Sequence, residues 1–221
     1  MAFALPNGAR VFVQKTIGAA LAFTGATNAT EAVFTVADGT KVKVGDPVMI
    51  RSDDWNALDG MVAKVKAAEA TKVTLSLVDT SNKNKYPAGA VTGKLIPITA
   101  WQEIPQITEV DNSGGEQQYV QVQFLSDDRQ RNLATFKTAK TQVYTFAHDS
   151  SLPIYPVLRA ADESGDVLAC YMYVPKAKET RYWSATMTFD DQPQTAVNQV
   201  ETVQASLSLV SQAMLFYKDA A

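Results

Sequence analysis

One cysteine and one histidine, Cys170 and His148, are all that the 221 residues contain of those two types. A lone thiol cannot form an internal disulfide, so nothing in the sequence calls for an oxidising compartment. Zinc, iron–sulfur and haem sites need more cysteine or histidine ligands than these two residues supply. Charge is scarce as well. Charged residues make up 19%, below the ~25% usual in soluble domains, and Thr, Ser, Gln and Ala take their place. The net charge of −3 excludes a nucleic-acid binder working through a basic patch. No apolar run approaches the ~20 residues of a membrane helix. The opening MAFALPNGARVFVQ has neither a basic leader nor a long apolar core. The expectation is a product without membrane anchor or cofactor, cytoplasmic when made and either soluble or self-assembling.

Catalytic signatures are missing too. His148, Asp149 and Ser150 are consecutive, and neighbours in sequence do not converge as a nucleophile–base–acid triad. There is no G-x-S-x-G elbow and no glycine-rich phosphate loop. The acidic pairs Asp53–Asp54, Asp127–Asp128 and Asp190–Asp191 read as solvated turns rather than as carboxylates facing across a cleft. DDWNALDG (53–60) lacks the alternating ligands of a calcium loop, and Val65 stands where its closing Glu would be if Asp54 came first. The basic stretches 82–85, 137–140 and 175–181 read as loop tips without interleaved aromatics. The chain reads as a non-enzyme.

What is present is β-structure. Hydrophobic residues at 46% allow a sizeable core. A strand is expected at 9–15. Strand-like runs at 32–36, 47–51, 61–66, 72–78 and 92–96, separated by Gly, Asp and Pro turns, predict a small barrel-like module over 27–98. Residues 1–26 and 99–221 are then the larger domain, a β-sandwich or barrel with one flanking helix. That helix follows the candidate caps Ser150 and Ser151 and ends at Gly165, with Ile154, Val157, Leu158 and Ala161 as its apolar stripe. Residues 127–140 suit a loop or a short helix equally. Strands are predicted at 141–149, 166–175, 182–189, 202–209 and 213–217.

Three of these segments share a peculiarity. QQYVQVQF (117–124) alternates Val120, Val122 and Phe124 with Gln121 and Gln123. YWSATMTF (182–189) alternates Trp183, Met187 and Phe189 with Ser184, Thr186 and Thr188. TVQASLSL (202–209) alternates inward Leu207 and Leu209 with Thr202, Gln204, Ser206 and Ser208. The first set in each case is assigned to the core. The second is a neutral face that lacks the charges by which solvent-exposed strands resist edge-to-edge pairing. Strand propensity alone accounts for some of this, since Thr and Tyr favour strands. The sharper reading is one shared surface.

The order of QQYVQVQF, the acidic turn SDDRQR, TQVYTFAHD, the helix PIYPVLRAAD, VLACYMYV, YWSATMTF and NQVETVQASLSL resembles the major tail tube proteins of long-tailed, lambda-like bacteriophages (siphoviruses) over about residues 100–217. The resemblance implies a β-sandwich that assembles into hexameric rings, stacked into a tube that conducts DNA. It implies residence in the virion tail after assembly in the host cytoplasm. The implied partners are further copies, a tape-measure protein, and tail terminator and tail-tip proteins, while DNA passes without specific binding. The neutral residues named above would then line the lumen or the joints between subunits. Two rival readings have the same composition: a carbohydrate- or receptor-binding module of a virion tip with Trp55, Trp101 or Trp183 as platforms, and a tube protein of a contractile secretion system. The 27–98 module is expected on the tube exterior, the alternative being that it extends toward the next ring and helps stacking.

Overall fold

A computed structural model describes residues 5–219; the first four residues of the opening segment lie outside them. The chain is mainly β. Its strands begin with β1 (Arg10–Ile17), β2 (Leu21–Ala26), β3 (Val33–Val36), β4 (Pro47–Ser52), β5 (Val62–Glu69), β6 (Lys72–Leu75) and β7 (Gly93–Ile104). There follow β8 (Ile107–Ser113), β9 (Gln117–Val122), β10 (Arg131–Lys137), β11 (Thr141–Ala147), the helix α1 (Ile154–Ser164), β12 (Leu168–Val174), β13 (Glu179–Gln194), β14 (Thr202–Leu209) and β15 (Leu215–Lys218).

The predicted module is a barrel. Its strands run in the order β2-β3-β6-β5-β4-β7, and β2 pairs with β7 to close the ring. Closure leaves no edge exposed. Leu21, Phe23, Phe34, Ile50, Trp55, Leu58, Leu75 and Leu95 fill the interior. The sequence division at residue 27 placed β2 with the larger domain, whereas Leu21 and Phe23 sit in this smaller core. β2 was not read as a strand because LAFTGA carries a glycine and alternates too briefly.

β7 belongs to both halves. Its start pairs with β2 and β4, and residues from Ile98 to Ile104 pair with β1. The larger sheet continues β7-β1-β12-β13-β14-β11-β8. The chain passes from β7 at one edge to β8 at the other through Pro105 and Gln106, the latter at φ 56°. The sheet therefore curls on itself, and Val11, Val13 and Ile104 meet Tyr144, Phe146, Trp183, Met187, Phe189, Val203 and Leu207 in one core.

Helix α1 lies along this core with Ile154, Tyr155, Leu158 and Ala161 buried, close to the stripe that its periodicity predicts. Gly165 ends it as expected, left-handed at φ 64° with its N–H on the Ala161 carbonyl. The predicted serine caps do not form. Pro153 holds the cap position without a side-chain bond, and Ser151 instead donates to Asp149 in the preceding turn.

A third cluster, Met49, Val62, Ile98, Ala169 and Tyr182, joins barrel to sheet. The last strand adds a staple. The Tyr217 hydroxyl accepts from the Lys64 N–H at 3.0 Å and donates to the Ser76 carbonyl at 2.8 Å, while β15 itself pairs with β13. Lys64 Nζ lies over the Tyr182 and Tyr217 rings, 5.6 and 5.2 Å from their centroids. Removing this hydroxyl in Tyr217→Phe leaves two part-buried backbone groups unpaired. It should cost about 1–3 kcal/mol, read as a lower urea midpoint.

Burial pushes the Tyr217 phenol up to about 12, from an ordinary value of 10.0. The folded state therefore favours the neutral phenol. That contribution is whole below pH 10 and is lost as pH rises from 10 towards 12. Stability should fall across that window in equilibrium unfolding, and Tyr217→Phe should shallow the fall. An unchanged slope in the variant would assign the fall to other groups.

Candidate functional site

The register of four strands assembles a surface that sequence showed only in pieces. Residues directly opposite in an antiparallel pair share a face. Across β13, β14, β11 and β8, one row reads Thr186, Ser208, Thr141, Ser113. The next reads Thr188, Ser206, Val143, Asp111, and the third Asp190, Gln204, Thr145, Glu109. Thr202 follows, opposite Ala147. In the three rows every residue is half-buried or exposed, eight are hydroxyls or amides, three are carboxylates, and none is Lys or Arg. The opposite face of β13, β14 and β11 is the core: Met187 and Phe189, Val203 and Leu207, Tyr144 and Phe146.

Such a face hydrogen-bonds water through hydroxyls and amides, and it offers a polyanion no counter-charge. Gln204 Nε2 reaches Thr145 Oγ1 at 3.5 Å, a link between neighbouring strands along one row. Neither outer edge of this four-stranded stretch is paired among the described residues. β8 ends the sheet, and β12 pairs with β13 only as far as Ala185, leaving β13 beyond it open on that side.

Thr186, Thr188, Thr202, Gln204, Ser206 and Ser208 are therefore brought together as one surface. Three other assignments are corrected. Ser184 shares their alternation but is buried where the barrel docks, beside Ser211 and Gly60. A Cβ on Gly60 would stand 2.8 Å from its hydroxyl, and at φ +76° glycine is favoured there. Gln121 and Gln123 lie elsewhere, on or just beyond a separate two-stranded ribbon formed by β9 and β10. The supposed core residues of that segment have no core: Val120 is 49% exposed and Phe124 59%, with Val122 half-buried. The alternation was read correctly, but none of these side chains joins a buried core among the described residues. Trp183, Met187, Phe189 and Leu207 are buried as expected, and Leu209 is half-buried.

Sequence reasoning missed Glu109, Asp111, Ser113, Thr141, Thr145 and Asp190. β8 was unrecognised because ITEVDNS is rich in residues that strands disfavour. The outward alternation of TQVYTFA was available but not used.

The ribbon continues the β8–β11 hairpin beyond the end of the sheet. The break falls at Gly114, where φ is +80° and a Cβ would stand 1.8 Å from the Ala139 carbonyl oxygen, so only glycine fits. Leu133 of β10 lies directly opposite Val120, giving the ribbon one apolar face, and Leu125 projects from its turn. The stretch 127–140, ambiguous in sequence, is thus the turn and return strand of this ribbon.

Elsewhere, Trp55 and Trp183 are buried, which removes two of the three candidate sugar platforms, and Trp101 packs edge-on against Tyr171. His148 Nδ1 is 2.7 Å from the Tyr155 hydroxyl, a bond between the end of β11 and α1.

A family model described as phage tail tube protein, TTP, matches residues 53–218. The match begins inside the barrel and takes in β5, β6 and β7 as well as the larger sheet from β8 onward. Comparison with curated proteins finds no match.

Proposed function

Since the chain belongs to the phage tail tube protein family, we propose that it is the ring-forming subunit of a long, lambda-like tail whose hydroxyl face lines the DNA channel. The observation that carries this is the four-stranded face without a cation, bounded by an open strand on each side. A wall that DNA must slide past works only if it does not release counterions from the phosphates and hold them, which is what rows of Lys or Arg would do.

The open edges supply the means of closure. β13, β14, β11 and β8 alternate in direction, so the first and last run opposite ways. Copies related by rotation about a common axis therefore present β8 of one antiparallel to the far half of β13 of the next. An even number of strands per copy lets the alternation continue around a ring, and the interface is heterologous, as rings require. Six copies, following the resemblance, would complete it.

The ribbon adds a second demand for partners. An isolated two-stranded hairpin is marginal in water, and this one exposes Val120, Phe124, Leu125, Leu133 and Phe136. Packing on other copies would bury them. The barrel, docked over β12 and the first half of β13, would face the tube exterior. Tape-measure, terminator and tail-tip proteins are the further partners that the resemblance implies.

Negative-stain microscopy of concentrated protein tests the proposal. Rings or tubes of uniform bore are expected; a strictly monomeric protein at high concentration would overturn it.

A further inference from the structure

The face of β1, β12 and early β13 that turns away from the core carries aromatic rings rather than a row of hydroxyls. Phe12, Tyr171 and Tyr182 alternate with the buried Val11, Val13, Cys170 and Trp183. Register sets them side by side, Phe12 opposite Tyr171 and Tyr171 opposite Tyr182. Trp101 of β7 stands edge-on to Tyr171, with ring centroids 4.7 Å apart. With Pro47 from the barrel strand β4 they line a cleft of about 340 Å³ at the seam between barrel and sheet. Seams walled by aromatics with a few polar groups are where small ligands bind.

Two polar groups in this cleft lack partners. Tyr182 and Thr180 are each 7% exposed and line it. Neither hydroxyl has a hydrogen-bond partner among the described residues, and neither is sealed from solvent. The neighbouring Tyr217, by contrast, has its hydroxyl paired twice. Burial raises the Tyr182 phenol above its ordinary value, so it stands as a neutral O–H donor. Charge then selects the occupant. Arg10, the one cation lining the cleft among the described residues, is paired with Glu103 and lies over the Phe12 ring. A phosphate or carboxylate therefore meets no unpaired cation, while an ammonium ligand would meet Arg10 and the Lys64 that lies over Tyr182. A neutral ring with apolar faces and a hydroxylated edge matches both the aromatic wall and the unpartnered hydroxyls. We propose that this cleft binds a neutral saccharide ring, packed against the aromatic wall and hydrogen-bonded by Tyr182 and Thr180. The site is complete in a single chain. Only its source of sugar rests on the tube reading: with the barrel outside, the cleft opens on the tube exterior and takes sugar units of a cell-surface polysaccharide.

Calorimetry of the unassembled chain tests this with oligosaccharides ending in glucose, galactose or N-acetylglucosamine. Sorbitol, choline and inorganic phosphate serve as ringless, cationic and anionic controls. Binding heat is expected for at least one saccharide and for no control. Tryptophan emission should change with it, since Trp101 is the one tryptophan of three that is not buried. Tyr182→Phe should raise Kd roughly two- to tenfold and leave the unfolding midpoint where it is, because the hydroxyl holds nothing within the chain. Trp101→Ala should raise Kd roughly tenfold or more. No response to any saccharide, a response to choline or phosphate alone, or binding that neither variant weakens would overturn the site. Sedimented tubes should bind the same saccharide; binding lost on assembly would make the cleft a joint between copies and overturn the surface-polysaccharide role. The titration of the free chain needs no assembly, so its failure leaves the tube reading standing.

Discussion

Placing lysine on the hydroxyl face, as Gln204→Lys or Ser206→Lys, should block DNA delivery while leaving the subunit folded. Both positions lie in β14, one of the two inner strands of the four, and are half-buried among hydroxyls rather than in the core. The folding cost of such a surface change is usually within ±0.5 kcal/mol. The consequence for DNA is much larger, because one substitution recurs in every copy around every ring. Each new phosphate contact steepens the dependence of log K on log salt by about 0.9, and many act along the same duplex. The expected outcome is tubes of normal appearance, infectivity lowered by orders of magnitude, and partial rescue of ejection at high salt. Normal infectivity in both variants would remove this face from the channel. A loss of tubes in place of a loss of delivery would move it to a subunit joint.

The second large effect concerns the ribbon. A buried Leu cut back to a small residue usually costs about 2–5 kcal/mol. Val120 looks like a core residue in sequence, yet it and its partner Leu133 are about half exposed in the folded chain. Leu133→Ser combined with Val120→Ser should therefore leave the unfolding midpoint of the subunit nearly unchanged and abolish assembly, measured by sedimentation of concentrated protein. Trp183→Ala is the control from the true core, where complete burial predicts a loss of about 3–5 kcal/mol. A ribbon variant as destabilised as that control would mean that the apolar face is covered within the subunit. A ribbon variant that still forms tubes would deny it a role between copies.

Local patterns carried a good part of this fold. The apolar stripe of α1 and its terminal Gly165 were legible because helix periodicity and the left-handed cap are properties of short segments. The alternation of β13 and β14 was legible for the same reason, and it sorted Met187, Phe189 and Leu207 to one side and Thr186, Thr188, Gln204, Ser206 and Ser208 to the other. Near-absence of Cys and His limited the available chemistry before any element was placed.

Alternation says which residues share a side, but not what lies beyond that side. Ser184 continues the hydroxyl row of β13 yet is buried, because a separate barrel packs against that half of the strand. Val120 and Phe124 continue an apolar row yet join no core among the described residues, because from Gly114 onward their segment forms a ribbon separate from the sheet. Glu109 and Asp111 join the surface only through the register of β8 on β11, a pairing between segments some thirty residues apart. Sequence thus determined the two-sidedness of each strand, a consequence of backbone geometry repeating every second residue. Tertiary structure alone decided which sides face a core, a neighbouring domain or open space, because that depends on contacts between residues distant in the chain.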